Sequence, residues 1–207
     1  MQILTRYYKH GSANKLEAVI KTAGLDDVQE ARIHLQLSLD YLEIIDFLHN
    51  SPIGCRVMCD TNSLDKTMSQ FLITDDFHLV LADVDALPEV KKNAAAQLVK
   101  CGHRELHGSF VAPEQLWPFE ETEFDDANMP AYDEKTDVWK IPDVLYYLLG
   151  NTVVGDRMKF MLFNALKKCK SLAATDRPDV KDIIREFKSC KKKIIGDLES
   201  LHSTDEL

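Results

Sequence analysis

The sequence predicts a mainly α-helical domain that carries one short β-hairpin. Over several stretches, apolar residues recur at spacings of three and four, which is the pattern of helices packed against a core. Residues 71–81 instead contain two short apolar, strand-favouring runs joined by the turn-like Thr74-Asp75-Asp76. With 207 residues, of which 45% are hydrophobic and 29% charged, the chain can form one domain with its own core or one lobe of a larger domain.

The first two helices are marked by clear start and stop signals. A short helix is predicted over 15–21, and Gly24 ends it because glycine readily adopts the left-handed conformation that closes helices. A long amphipathic helix follows, capped by Asp26 or Asp27. This helix leads directly into the stretch 56–88.

Three more helices are predicted in the second half of the chain. The first begins at Asp137 and is apolar nearly all round, so it is expected to be buried. Pro142 inside it should kink the helix or mark a later start. An amphipathic helix is predicted over 157–169, and a last one over 179–198, capped by Asp179.

The stretch 56–88 is the candidate for chemistry. In order, it contains a short apolar run that is expected to be buried, Asp60, a polar loop, the hairpin, and Asp83 directly after the second strand. A strand pair with one acid before it and another after it places two carboxylates near one cleft.

This arrangement resembles the catalytic and metal-binding loops of protein kinases. Gln70 stands thirteen residues before Asp83, which is the spacing between the metal-binding amide and the D-F-G aspartate of kinases. Cys59-Asp60 stands at the place of R-D in H-R-D. The chain departs from the kinase pattern at Cys59, at Gln70, at Val84 and in the long gap between Asp60 and Gln70.

Three further kinase-like motifs follow in the same order. Ala112-Pro113-Glu114 matches the A-P-E that closes an activation segment, and Asp137-Val138-Trp139 resembles the D-x-W at the start of the next buried helix. Asp176-Arg177-Pro178 matches the R-P that precedes the last helices. The resemblance implies a buried ion pair between Glu114 and Arg177, and a structural role for Asp137, which would accept backbone hydrogen bonds near the catalytic loop.

Three longer phrases resemble the protein O-mannose kinase family: residues 56–60, 103–118 and 132–143. The resemblance implies an enzyme that transfers the terminal phosphate of ATP to a mannose hydroxyl of an O-mannosyl glycan on dystroglycan. It also implies a location on the lumenal side of the endoplasmic reticulum membrane, with the membrane anchor in an N-terminal part outside this sequence. Two alternatives stay open: a catalytically silent pseudokinase or interaction module, and a fragment of an ordinary intracellular protein kinase.

On this resemblance, residues 1–207 form the large C-terminal lobe of a kinase-like domain. The hinge, with the strand-like Ile3-Leu4-Thr5, would lie at about 1–10, the catalytic and metal-binding loops at 56–88, and the activation segment at 83–114. The glycine-rich loop and the nucleotide-binding lysine belong to an N-terminal lobe that is missing from this sequence.

The kinase resemblance assigns chemical roles to individual side chains. Asp60 would orient the acceptor hydroxyl and accept its proton, and Asp83 and Gln70 would bind the Mg²⁺ that accompanies ATP. Asn62, Lys66 and Asp85 are further candidates for contacts with phosphate, metal or substrate. Residues His103, Arg104 and Glu105 could bind an anionic or sugar ligand, or pair within the activation segment.

Composition narrows the classes of partner. A net charge of −9 argues against nucleic acid, since phosphate binding requires clustered basic residues. No apolar run is long enough to cross a membrane, and no signal peptide opens the sequence. Residues 120–133 are acidic and contain a proline, which predicts a surface insert. Between Val84 and Val111, Ser109 is the only hydroxyl residue, which argues against control by phosphorylation.

Two features bear on the cellular compartment without deciding it. The five cysteines include no C-x-x-C pair. They could form one or two disulfides with a thiol left over, or all remain free, and the sequence does not pair them. The last four residues, 204–207, resemble the K-D-E-L class of retention signal, or they form a frayed acidic tail.

Overall fold

A computed structural model of the chain describes residues 6–59, 61–91, 98–101, 104–119 and 121–204, with side chains as far as residue 197. Six α-helices are found in these residues: α1 (Leu16–Ala23), α2 (Asp27–His49), α3 (Leu64–Ser69), α4 (Lys135–Leu148), α5 (Val153–Cys169) and α6 (Val180–Thr204). The strands are short: β1 (Cys55–Arg56), β2 (Phe71–Ile73), β3 (Leu79–Leu81) and β4 (Glu89–Val90). The prediction of a mainly α-helical fold is confirmed.

The core lies between the four long helices. Helix α2 packs against α4, α5 and α6, and α4 also packs against α5. Helix α4 buries residues on nearly all its sides, as its apolar sequence predicts. The helix begins at Lys135, so Pro142 lies inside it and does not mark its start.

The helix ends confirm several local signals and correct two. Asp26 caps α2 by accepting a hydrogen bond from Gln29 N at 2.7 Å, and Gly24 closes α1 with a φ of 64°. Helix α5 starts earlier than predicted, at Val153, because the Thr152 hydroxyl accepts a hydrogen bond from Gly155 N. Helix α6 runs past the predicted end at 198, to Thr204.

The hairpin is present where the sequence predicts it. Strands β2 and β3 pair antiparallel with Leu72 opposite Val80, and Thr74 N donates to His78 O across the turn at 2.8 Å. The polar loop predicted before the hairpin is wrong in part, because residues 64–69 form α3. Ser63 caps this helix by accepting from Lys66 N, and the buried Met68 fixes it to the core.

A second small sheet attaches the segment after the hairpin to the chain before it. Strand β1 pairs antiparallel with β4, with Cys55 opposite Val90. Beneath it lies a separate apolar cluster that includes Val57, Val99 and Tyr132. No alternating pattern predicts these strands, since each has two residues.

Four sequence predictions fall outside the described residues. They are the strand-like Ile3-Leu4-Thr5, the candidate base Asp60, the candidate ligand residue His103, and the terminal residues 205–207. Within the described ranges, no helix combines the length and apolar character needed to cross a membrane.

Candidate functional site

Backbone hydrogen bonds bring the two loops of the candidate site together. The Gln70 carbonyl accepts from Ala82 N at 2.9 Å and from Asp83 N at 3.3 Å, directly beyond the end of β3. A few residues later, Ala86 O accepts from Cys59 N at 3.0 Å. The segment 82–86 is therefore held at one end by Gln70 and at the other by the residue that precedes Asp60.

Asp83 and Gln70 differ in their exposure to solvent. Asp83 is exposed, and its Oδ1 accepts a hydrogen bond from Asp85 N at 3.3 Å. Gln70 is 3% exposed, and its Nε2 lies 3.4 Å from Lys66 O. The amide nitrogen of Gln70 faces this carbonyl oxygen, and the contact orients the amide group beside the loop that carries Asp83.

The side-chain oxygens of Asp83 and Gln70 are of the kind that bind Mg²⁺. No group of three or more His, Cys, Asp or Glu side chains suited to a metal occurs among the described residues. Asp83 and Gln70 would supply one carboxylate and one amide oxygen. Magnesium commonly takes a few hard oxygen ligands from the protein and the others from phosphate and water.

Helix α4 supports the backbone on both sides of Asp60. The Asp137 Oδ2 atom accepts a hydrogen bond from Met58 N at 3.1 Å and lies 3.2 Å from His49 Nε2. Asp137 is 2% exposed, and its contact with Met58 is the kind of backbone contact that the sequence predicts for it. After Asp60, the Thr61 hydroxyl donates to Met58 O at 2.8 Å and Thr61 N donates to Cys59 O at 2.7 Å, so Met58, Cys59 and Thr61 form a hydrogen-bonded turn.

Lys140 reaches the same turn and was not predicted from the sequence. It is 2% exposed, and its Nζ lies 2.6 Å from Thr61 Oγ1. The available signal was a lysine in the middle of a helix that is otherwise apolar nearly all round.

A disulfide joins the turn to the predicted activation segment. Cys59 and Cys101 are bonded, with their Cα atoms 4.9 Å apart. Cys101 N donates to Tyr132 Oη at 2.6 Å, and Val99 forms an antiparallel bridge with Tyr132. The residue next to Asp60 is thereby linked covalently to the segment, and Cys55, Cys169 and Cys190 are not part of a disulfide.

Replacing Cys101 by serine is expected to lower the free energy of unfolding by about 2–4 kcal/mol, because the disulfide restricts a long loop of the unfolded chain. The two cysteines are 42 residues apart in the sequence. Urea denaturation of the isolated chain measures the change. Cys55→Ser is the matched control, since Cys55 is a half-buried cysteine of the same region that is not part of a disulfide. Equal losses in the two variants would contradict a stabilising role specific to the disulfide.

The other predicted ligand-binding residues that the structure describes lie on different segments of the chain. Asn62 is half-buried and follows Thr61, Lys66 lies on α3, and Asp85 is exposed beside Asp83. Arg104 is exposed. Glu105 Oε2 lies 3.9 Å from His107 Nε2, so Glu105 pairs loosely within its own segment.

The predicted contact between Glu114 and Arg177 is present. Both terminal nitrogens of Arg177 donate to the carboxylate, with Nη1 at 2.5 Å from Oε1 and Nη2 at 2.7 Å from Oε2. The Arg177 side chain is fully buried, and its Nε donates to Ser171 O at 2.9 Å. Two parallel hydrogen bonds fix the geometry of such a pair, and they tie the end of the predicted activation segment to the start of α6.

Comparison with known proteins finds relatives that are named protein O-mannose kinases. It is 48% identical over 186 residues to a protein O-mannose kinase of Macaca fascicularis, and 47% identical over 186 residues to that of Homo sapiens; each alignment covers 89% of this chain and 53% of the relative. The protein O-mannose kinase of Gallus gallus is 44% identical over 206 residues, which are 99% of this chain and 58% of the relative.

The chain is thus a relative of protein O-mannose kinases over nearly its whole length, and the resemblance predicted from the motifs is confirmed. It spans about half the length of these curated relatives. No family model matches the chain.

Proposed function

We propose that this chain is the large lobe of a kinase-like domain, and that the complete protein transfers the terminal phosphate of ATP to a mannose hydroxyl of an O-mannosyl glycan. One observation carries the proposal. Gln70, Asp83 and the two neighbours of Asp60 are gathered at one edge of the lobe by backbone hydrogen bonds, in a chain that is 44–48% identical to protein O-mannose kinases.

The residues of the cleft have complementary roles in this reaction. Asp60 orients the acceptor hydroxyl and accepts its proton as the oxygen attacks phosphorus. Asp83 and Gln70 would hold Mg²⁺, which supplies positive charge to the phosphates when it is bound. The turn of Met58, Cys59 and Thr61, supported by Asp137, would position the base from both sides of it in the sequence. Phosphoryl transfer depends mainly on such positioning, because the protein makes no covalent bond to the phosphate.

The disulfide attaches the predicted activation segment to the catalytic loop without a phosphorylated residue. Many kinases order this segment when a phosphorylated hydroxyl binds basic residues. Here a covalent bond joins the segment to the residue beside Asp60, and Ser109 is the one hydroxyl in the predicted segment between residues 84 and 111. In the proposed enzyme the disulfide takes the place of the contact between a phosphorylated residue and basic residues.

We further propose that the complete protein works on the lumenal side of the endoplasmic reticulum, anchored in the membrane by a part outside this sequence, on the glycan of dystroglycan. The Cys59–Cys101 disulfide supports the lumenal location, since disulfides persist mainly in oxidising compartments. The phrases shared with protein O-mannose kinases support the glycan.

The chain alone is expected to give no magnesium-dependent phosphate transfer, since the glycine-rich loop and the nucleotide-binding lysine are absent from the sequence. The complete protein should transfer phosphate from labelled ATP to a synthetic mannose-containing O-glycan. A matched glycan without mannose is the control. Transfer by the isolated chain, free of contaminating kinase, would contradict the proposal that the reaction needs a glycine-rich loop and a nucleotide-binding lysine.

One observation favours the alternative of an interaction module. The chain departs from the kinase pattern at Cys59, Gln70 and Val84, and Val84 is 57% exposed where kinases place a phenylalanine. Binding of the glycan by the complete protein, with no transfer under any condition of nucleotide and metal, would favour this alternative.

A further inference from the structure

Lys140 is a buried cation in the middle of the core helix. It lies on α4 and is 2% exposed. Of the three donors of its ammonium group, one is used within the described part of the chain, in the 2.6 Å hydrogen bond to Thr61 Oγ1. An ammonium group that is buried with a single neutral acceptor is poorly compensated for its lost hydration.

The surroundings of Lys140 act on its charge in opposite directions. Burial lowers the pKa of Lys140 to about 8. The carboxylates of Asp137 and Glu114 act in the opposite direction, and Lys170 adds to the lowering. Burial outweighs the two carboxylates, so a protonated Lys140 destabilises the fold, whereas an apolar side chain of similar length would not.

The Thr61 hydroxyl connects Lys140 to the backbone through two hydrogen bonds. It accepts from Lys140 and donates to Met58 O at 2.8 Å, while Met58 N donates to Asp137 Oδ2 at 3.1 Å. Asp137 and Lys140 lie on the same face of α4, three positions apart. Helix α4 therefore holds the chain immediately before Asp60 through Asp137 and immediately after it through Lys140.

We infer that Lys140 is a positioning residue for the reaction: it fixes the Thr61 hydroxyl and, through it, Met58 and Thr61, which flank Asp60 in the sequence. The inference rests on the proposed function for the role of Asp60, and on the geometry alone for the role of Lys140 in the turn. A residue that lowers stability while it fixes a reactive loop is expected at an active site and is out of place in a core that serves folding alone.

The test compares Lys140→Met and Thr61→Val with the wild type in the complete protein. Methionine keeps the length of the side chain without its charge, and valine keeps the shape of threonine without its hydroxyl. Lys159→Met is the matched control, because Lys159 is a partly buried helical lysine that bonds to Gly150 O and Asp156 instead. Three quantities are measured: kcat and nucleotide KM for transfer, the melting temperature, and amide hydrogen exchange of residues 58–61.

Lys140→Met is expected to raise the melting temperature, accelerate exchange in residues 58–61, and lower kcat on the order of 10- to 100-fold with nucleotide KM nearly unchanged. Thr61→Val should lower kcat similarly, and the double variant should lose no more than the worse single one, because the two side chains act as a unit. Lys159→Met should change none of these.

The gain in stability has a predicted pH dependence. The pKa of Lys140 in the fold is about 8, below its ordinary value of 10.5. The penalty is therefore fully present below pH 8 and disappears as the pH rises toward 10.5. The stability advantage of Lys140→Met over the wild type should be largest near neutral pH and shrink in alkali.

The possible failures are distinguishable. If the wild type transferred no phosphate while Lys140→Met still accelerated exchange in residues 58–61, the proposed function would fail and the role of Lys140 in the turn would stand. Unchanged exchange, unchanged kcat in an active enzyme, or additive losses in the double variant would each overturn the inference about Lys140.

Discussion

Asp60→Asn in the complete protein is expected to lower kcat by about 10²–10⁴-fold while nucleotide binding changes little. Asparagine keeps the shape of the side chain and removes the charge that accepts the proton of the sugar hydroxyl. The measurement is transfer of labelled phosphate to a mannose-containing O-glycan, run beside magnesium-dependent nucleotide binding. The fold should be unaffected, since α4 supports the turn through Met58 and Thr61.

Asp83→Asn is the comparison that separates the two acids. Loss of a magnesium ligand should weaken nucleotide binding and transfer together, whereas Asp60→Asn should affect transfer alone. If Asp60→Asn left transfer intact, the role of base would move to another acid. Asp65 is the first candidate; it is exposed on α3 and accepts a hydrogen bond from Asn14 Nδ2 at 3.0 Å.

Glu114→Ala is expected to lower the free energy of unfolding by about 3–5 kcal/mol, because the Arg177 guanidinium then stays buried without its carboxylate. The Arg177 side chain is 0% exposed and that of Glu114 is 23% exposed, so water cannot readily replace the lost partner. Carbonyl groups of Ser171 and Lys135 still accept from Arg177 and keep its position. Urea denaturation of the isolated chain measures the loss.

An exposed ion pair provides the control for this prediction. Arg157 and Asp197 form an ion pair with side chains 47% and 55% exposed. Arg157→Gln should cost less than about 1 kcal/mol, as exposed pairs usually do. Equal effects of Glu114→Ala and Arg157→Gln would mean that the buried pair is not a structural link between the activation segment and α6.

The helices and the hairpin could be predicted because their signals are local. The cap at Asp26, the stop at Gly24 and the periodicity of the long helices each act within a few residues of the chain. The order of the kinase-like motifs likewise predicted the Glu114–Arg177 contact, since a family pattern records contacts between distant positions.

The short elements were missed because non-local pairing forms them. Strands β1 and β4 have two residues each, and neither has a pattern of its own; each exists because the other lies beside it. Helix α3 is only six residues long, too short for periodicity to be read against its polar neighbours. The serine cap at Ser63 was its one local signal.

By itself, the sequence determined the helical framework, the position of the hairpin, and the spacing that places Gln70 and Asp83 at the same end of it. Only the tertiary structure decided that Cys59 bonds to Cys101 and that Lys140 reaches Thr61. Periodicity and capping depend on neighbours along one helix or strand. A disulfide or a buried hydrogen bond depends on which distant segments the packing of the core brings within a few ångströms, and no local pattern records that.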